Sequence, residues 1–140
     1  MKKQFEFTRA LRSQTDAVWS VLAKLDGVDE WAPIITSCRV EGTGSGAVRY
    51  CVTADGGKLR ERIVEVNPEE RRLSYVIEEG LPVDRYEGAF TIHQQDDGAR
   101  IVWTIEAEGD LATLDHVTAM LNEVAPAMLE GLDDRASKAA

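Results

Sequence analysis

Residues 110–136, DLATLDHVTAMLNEVAPAMLEGLDDRA, decide how the rest of the chain is organised. Their large apolar residues recur every three or four positions, the spacing that places side chains on one face of an α-helix. These residues are Leu111, Leu114, Val117, Leu121, Val124, Met128 and Leu132. Acidic residues such as Asp115, Glu123 and Glu130 occupy the opposite face. The segment is therefore predicted to form one long amphipathic helix that lies against a concave apolar surface.

The chain before this helix consists mainly of short segments that alternate apolar and polar residues, as β-strands do. Strands are predicted at residues 3–11, 35–41, 48–53, 59–66, 72–79, 86–93 and 100–108. Between the first two, residues 13–16 predict the N-cap of a short helix, with Ser13 as the cap, and residues 28–32 predict a second. This order predicts an α+β fold, in which a seven-stranded curved antiparallel sheet wraps around the long C-terminal helix.

Length and composition narrow the possible functions. A chain of 140 residues fits one domain, 1–140, and 44% hydrophobic residues suffice for a core. The net charge of -9 argues against binding to nucleic acid or to an anionic membrane, because phosphate groups would be repelled. The opening MKKQFEF has no apolar run, and no stretch reaches membrane length, so we expect a cytoplasmic protein. In that reducing compartment, Cys38 and Cys51 are expected to be free thiols.

Seven short motifs suggest a family. They are residues 16–19 (DAVW), 31–33 (WAP), 46–49 (GAVR), 60–62 (RER), 73–75 (LSY), 81–86 (LPVDRY) and 102–103 (VW). In this order and spacing they resemble the START-like helix-grip (SRPBCC) superfamily, and within it the bacterial polyketide cyclase/dehydrase-type and lipid transport proteins. The resemblance implies a deep apolar cavity between sheet and helix. Different members use it to carry lipids or hormones, or to cyclise or hydrolyse small molecules, so the fold does not fix the activity.

The period-two pattern also predicts which side chains face the cavity. If the aromatic residues of the last three strands point inward, that face is apolar and carries two phenols. On strand 59–66 the alternation leaves both sets open, and the resemblance favours an inward Glu61, with Arg49 and Cys51 inward on the neighbouring strand. Arg49 and Glu61 can then meet across the hairpin at residues 55–57. They could form a structural ion pair, bind a polar group of a ligand, or, through Glu61, transfer a proton.

The expected ligand-binding residues are drawn from the strands and the last helix. They are Arg49, Cys51, Glu61, Tyr75, Tyr86, Phe90, Trp103, Met120, Val124 and Met128. A tyrosine in a sheet can equally be a core residue, so the role of both phenols stays open. Candidate catalytic residues are Glu61 and Tyr86. We expect no cofactor and no metal site, because His93 and His116 lack other ligands at suitable spacing.

Three functional hypotheses follow. The first is binding of a small, largely apolar ligand with one polar group in the cavity. The second is an enzyme of the polyketide cyclase, aromatase or dehydratase type that uses the same cavity. The third is a dimeric interaction module that uses the outer face of the sheet. That face is highly charged, so we expect a monomer or a weak homodimer. By resemblance to plant abscisic acid receptors, turns 55–57 and 80–82 are candidate lids, although the receptors' gate sequence is absent from the first turn.

Overall fold

The computed structural model describes residues 1–139 and has the predicted α+β architecture. The first strand, β1 (Lys2–Leu11), leads into helix α1 (Thr15–Ala23), and the second predicted helix is a single 3-10 turn (Val28–Glu30). Then follow β2 (Ile35–Glu41), β3 (Val48–Thr53), β4 (Lys58–Asn67), β5 (Arg72–Glu79), β6 (Arg85–Gln95), β7 (Gly98–Glu108) and α2 (Leu111–Ala139). Among residues 1–139, no helix has both the length and the apolar character needed to cross a membrane.

The seven strands form one antiparallel sheet in the order β1-β7-β6-β5-β4-β3-β2. Short hairpins connect β2 to β7 in sequence, whereas β1 pairs with the distant β7 and sets Phe7 opposite Trp103. Strand β4 shifts its register against β5 next to Glu61 and again after Ile63. Such bulges bend a strand and increase its twist, which helps the sheet to curve around α2.

The buried face of α2 differs slightly from the predicted stripe. Its buried residues are Leu114, Val117, Leu121, Ala125, Leu129, Leu132, Asp133 and Ala136. Leu111 is 59% exposed, because it is the first residue of the helix and burial begins one turn later. Val124 and Met128 are only half-buried. They lie at the edge of the buried face rather than at its centre.

The C-terminal half of α2 is held to the end of β1 by Asp133, a buried carboxylate. The backbone N–H groups of Arg12 and Ser13 donate to its two oxygens at 3.0 and 3.1 Å. The Ser13 hydroxyl donates to the Asp133 carbonyl at 3.1 Å. The predicted N-cap role of Ser13 is therefore wrong, since the cap of α1 is Gln14 and makes no side-chain capping bond. The tertiary contact to α2 replaces the local one.

The prediction of two free thiols is also wrong, because Cys38 and Cys51 form a disulfide. They lie directly opposite each other on the antiparallel strands β2 and β3. Directly opposed residues bring their Cβ atoms close enough for sulfur atoms to bond. The prediction rested on the expected compartment of the protein, although the sequence already allowed the two cysteines to lie across one hairpin.

Candidate functional site

A cavity of about 280 Å³ lies between the inner face of the sheet and α2. Its volume is slightly below the roughly 300–1,000 Å³ found for small-molecule sites. The wall contains nine of the ten residues predicted to bind ligand, namely Arg49, Glu61, Tyr75, Tyr86, Phe90, Trp103, Met120, Val124 and Met128. The strand residues lie there because alternate positions of β3 to β7 point to the same face. The two methionines and Val124 come from the half-buried edge of α2.

Cys51 does not line this cavity, although it was predicted to do so. Its side chain is buried, but its sulfur is bonded to Cys38 on the neighbouring strand. The expected role of Cys51 in ligand binding is therefore not supported by its position.

Arg49 and Glu61 form a buried ion pair in the cavity wall. They are opposite each other in the β3–β4 ladder, and Arg49 Nη2 donates to Glu61 Oε1 at 2.8 Å. Arg49 Nη1 donates to the carbonyl of Leu25 at 3.3 Å, just after α1. Leu25 has a left-handed φ of 59°. This backbone conformation costs free energy and persists only where the surrounding contacts hold it in place. The guanidinium is thus held by β4 and by the turn after α1.

One nitrogen atom of the Arg49 guanidinium makes no hydrogen bond. Its Nε atom is buried and has no hydrogen-bond partner within residues 1–139, and the residue as a whole is 5% exposed. A buried donor without a partner costs roughly 1–3 kcal/mol, so an acceptor supplied by a ligand or a water molecule would remove that cost. In the described part of the wall, Arg49 therefore has a buried hydrogen-bond donor that a ligand could use.

Tyr75 is fixed by contacts on several sides. Its hydroxyl accepts a hydrogen bond from Trp103 Nε1 at 3.0 Å, and its ring stacks on Phe90 with 6.0 Å between ring centres. The guanidinium carbon of Arg49 lies 5.9 Å from the centre of the same ring. On β6, the residue opposite Tyr75 is Gly88, which leaves room for the phenol because it has no Cβ.

Both phenols stay neutral over a wide pH range. Burial, and next the negative charge of Glu61, raise the pKa of Tyr75 well above the value of a free phenol. Burial, followed by the proximity of Tyr75 and Glu61, likewise raises the pKa of Tyr86. A neutral phenol can donate a hydrogen bond as well as accept one. The Tyr86 hydroxyl lies within hydrogen-bonding reach of Tyr75, and its O–H would turn from Tyr75 to donate to a molecule in the cavity.

The cavity mouth contains residues that the sequence did not predict. Trp31 lies in the wall and meets Phe90 edge-on, with 6.4 Å between ring centres. His116 near the start of α2 also lines the cavity, together with Asp55 and Leu81 from the two turns that were named as candidate lids. His116 was considered only as a metal ligand, and its position one turn before Met120 was the available signal. The lid role of the two turns stays a prediction.

A wider depression of about 630 Å³ lies on the outer face of the sheet. Its lining is about equally polar and apolar, and includes the charged side chains of Glu6, Arg72, Glu87 and Glu106. It is open to solvent and lacks the apolar enclosure of the inner cavity, so the inner cavity is the candidate site. In the described residues, no cluster of three or more His, Cys, Asp or Glu side chains is arranged to hold a metal ion.

Comparison with known proteins gives a family and a fold. Residues 3–137 match the model of the family described as polyketide cyclase / dehydrase and lipid transport. The Zhui aromatase/cyclase of a Streptomyces species superposes with a TM-score of 0.87 at 17% identity, covering 99% of this chain and 95% of that one. Norcoclaurine synthase of Thalictrum flavum, in complex with dopamine and hydroxybenzaldehyde, gives a TM-score of 0.76 at 18% identity, covering 96% and 86%. At these identities the structures establish a shared fold alone. No curated protein sequence matches the chain.

Proposed function

The chain belongs to the polyketide cyclase/dehydrase and lipid transport family, and on that premise we propose that it binds a small, largely apolar molecule in its inner cavity. The observation that carries the proposal is the cavity itself, about 280 Å³ enclosed mainly by apolar and aromatic side chains. Binding an apolar molecule there removes its surface from water, which contributes roughly 25 cal/mol of binding free energy per Å² of apolar surface. The entropy lost when ligand and protein are ordered reduces this gain.

The polar part of the ligand would lie near Arg49 and Glu61. These residues belong to a mainly apolar wall, and Arg49 Nε has no hydrogen-bond partner within the described chain. A few convergent polar groups in an apolar pocket are typical of small-molecule sites, in which they fix the orientation of the ligand. Trp31 and Trp103, also in the wall, provide a fluorescence signal for binding.

The proposal is tested by blocking the cavity. Val124→Trp places a large side chain in the wall, whereas Ala127→Trp adds the same side chain at an exposed position of α2. The neutral dye N-phenyl-1-naphthylamine, which fluoresces strongly in apolar surroundings, serves as the probe. We expect saturable binding to the wild-type protein and to Ala127→Trp, and a loss of at least about tenfold in affinity for Val124→Trp. Equal binding by all three proteins would contradict the proposal.

A second candidate function is an enzyme of the cyclase, aromatase or dehydratase type. It is favoured by the grouping of a carboxylate and two phenols, Glu61, Tyr75 and Tyr86, in one cavity wall. A carboxylate or a phenol in an apolar site can move a proton in general acid–base catalysis. Turnover of a substrate that is lost in Glu61→Gln, with binding retained, would support this function. An active Glu61→Gln protein would exclude Glu61 as the catalytic group.

A further inference from the structure

The charges inside the cavity are balanced before any ligand enters. Arg49 is 5% exposed and Glu61 is 8% exposed, and their charged groups are in direct contact at 2.8 Å. The other acidic or basic residues in the wall of the described structure are Asp55 and His116, which are both exposed at the mouth. The inner end of the cavity therefore carries one positive and one negative charge that compensate each other.

This balance determines which polar groups the site can accept. A carboxylate placed beside Arg49 would also lie beside Glu61, and would bring a second negative charge into a buried region with one positive charge. Burying a charge without its own counter-charge is costly, because water no longer solvates it. A neutral group carries no such cost and leaves the ion pair intact.

The available hydrogen-bonding groups point to an oxygen acceptor on the ligand. Arg49 Nε is a buried donor without a partner in residues 1–139. Tyr86 lines the cavity with a neutral hydroxyl, which lies within hydrogen-bonding reach of Tyr75 and would turn from it to donate to a ligand. The hydroxyl oxygen of Tyr75 already accepts a hydrogen bond from Trp103, so that one of its acceptor positions is used. Both donors can be satisfied by a carbonyl or hydroxyl oxygen.

We propose that the ligand is uncharged, that its polar group is a carbonyl or hydroxyl oxygen, and that the ion pair excludes carboxylates such as fatty acids. This inference rests on the proposed binding function and specifies its ligand class. In it, Glu61 determines specificity by neutralising Arg49. The Arg49–Glu61 ion pair would then do more than fix the strand register, and it would not bind anions.

Two probes of matched shape test the proposal on the wild-type protein at pH 7.5. They are 2-acetylnaphthalene, a neutral ketone, and 2-naphthoate, a carboxylate on the same ring system, each titrated by isothermal calorimetry. We expect the ketone to bind at least about tenfold more tightly, since the carboxylate must be buried beside Glu61. Equal affinities, or tighter binding of 2-naphthoate, would overturn the inference and leave the proposed function in place. If neither probe binds, the proposed function fails together with the inference.

Removing the negative charge of Glu61 should invert the preference between the two probes. Glu61→Gln keeps the shape of the side chain but leaves the positive charge of Arg49 uncompensated, so 2-naphthoate should gain at least about tenfold relative to 2-acetylnaphthalene. Glu87→Gln removes an equal charge from the outer face of the sheet and should change neither affinity. An unchanged preference in a folded Glu61→Gln protein would overturn the role of Glu61. The wild-type comparison does not depend on whether that variant folds.

Discussion

Replacing Gly88 with alanine is expected to destabilise the protein by displacing Tyr75. A Cβ atom at position 88 would lie 2.5 Å from the Tyr75 hydroxyl oxygen and 2.6 Å from Cζ of the ring. Both distances are far shorter than a van der Waals contact. The ring cannot move freely, because it stacks on Phe90 and its hydroxyl is bonded to Trp103.

The cost can be worked from these contacts. Overpacking a buried site costs about 1–3 kcal/mol, and losing the Trp103–Tyr75 hydrogen bond costs about 0.5–1.5 kcal/mol. Alanine recovers roughly 0.5–1 kcal/mol, since glycine in a strand has the larger conformational entropy to lose. The free energy of unfolding should therefore fall by about 2 kcal/mol for Gly88→Ala.

Urea denaturation followed by tryptophan fluorescence measures this change. Gly109→Ala is the matched control, because its Cβ would meet only ordinary contacts at 3.9 Å, and it should change stability by less than about 0.5 kcal/mol. In a Tyr75→Leu background, Gly88→Ala should cost well under about 1 kcal/mol, since the obstructing end of the phenol is gone. A Gly88→Ala protein as stable as the wild type would refute this description of the wall.

Two further predictions concern titrating groups. Burial raises the pKa of Asp133, but hydrogen bonds from Arg12 and Ser13 outweigh burial, and the pKa is lowered overall. The ionised carboxylate therefore stabilises the fold above about pH 4, and this stabilisation is lost as the pH falls further. Asp133→Asn should lower the free energy of unfolding by about 2 kcal/mol at pH 7, measured by urea denaturation. The difference in stability from the wild type should shrink towards pH 2 to 3, and a difference that does not depend on pH would contradict this prediction. Because the pKa of both Tyr75 and Tyr86 is raised, the unfolded chain ionises first, and stability should decline above about pH 10. Ultraviolet absorbance should show both phenols protonated there while the protein is folded, and ionisation at the value of a free phenol would contradict their burial.

Much of the fold and of the cavity wall could be predicted because the local patterns agree with the tertiary structure. Period-two alternation placed Tyr75, Tyr86 and Trp103 on one face, and that face is the buried one. The short hairpin at residues 55–57 leaves β3 and β4 one register that sets Arg49 opposite Glu61. Where the alternation of apolar and polar residues extends over a whole strand, the apolar face is the one that is buried, so the pattern itself identifies the inward side chains.

The remaining features depend on contacts between distant segments. Ser13 has the local signature of an N-cap, but its groups are used by Asp133 from the far end of the chain. Cys51 lies on the inward side of β3, yet its sulfur joins Cys38 instead of facing the cavity. Trp31 follows an irregular 3-10 turn, for which no periodicity predicts a direction. In each case the partner, and not the local sequence, decides where the side chain goes.

The methionines allow a direct test of whether a small molecule enters the inner cavity. The chain has three methionines, of which Met120 and Met128 line the cavity and Met1 is 74% exposed. With carbon-13 in the methionine methyl groups, we would titrate the protein with 2-acetylnaphthalene and follow the three signals by nuclear magnetic resonance. We expect saturable shifts for Met120 and Met128 and none for Met1, because an aromatic ring in the cavity changes the local magnetic field there. Unmoved signals from Met120 and Met128 at saturating probe would contradict this expectation.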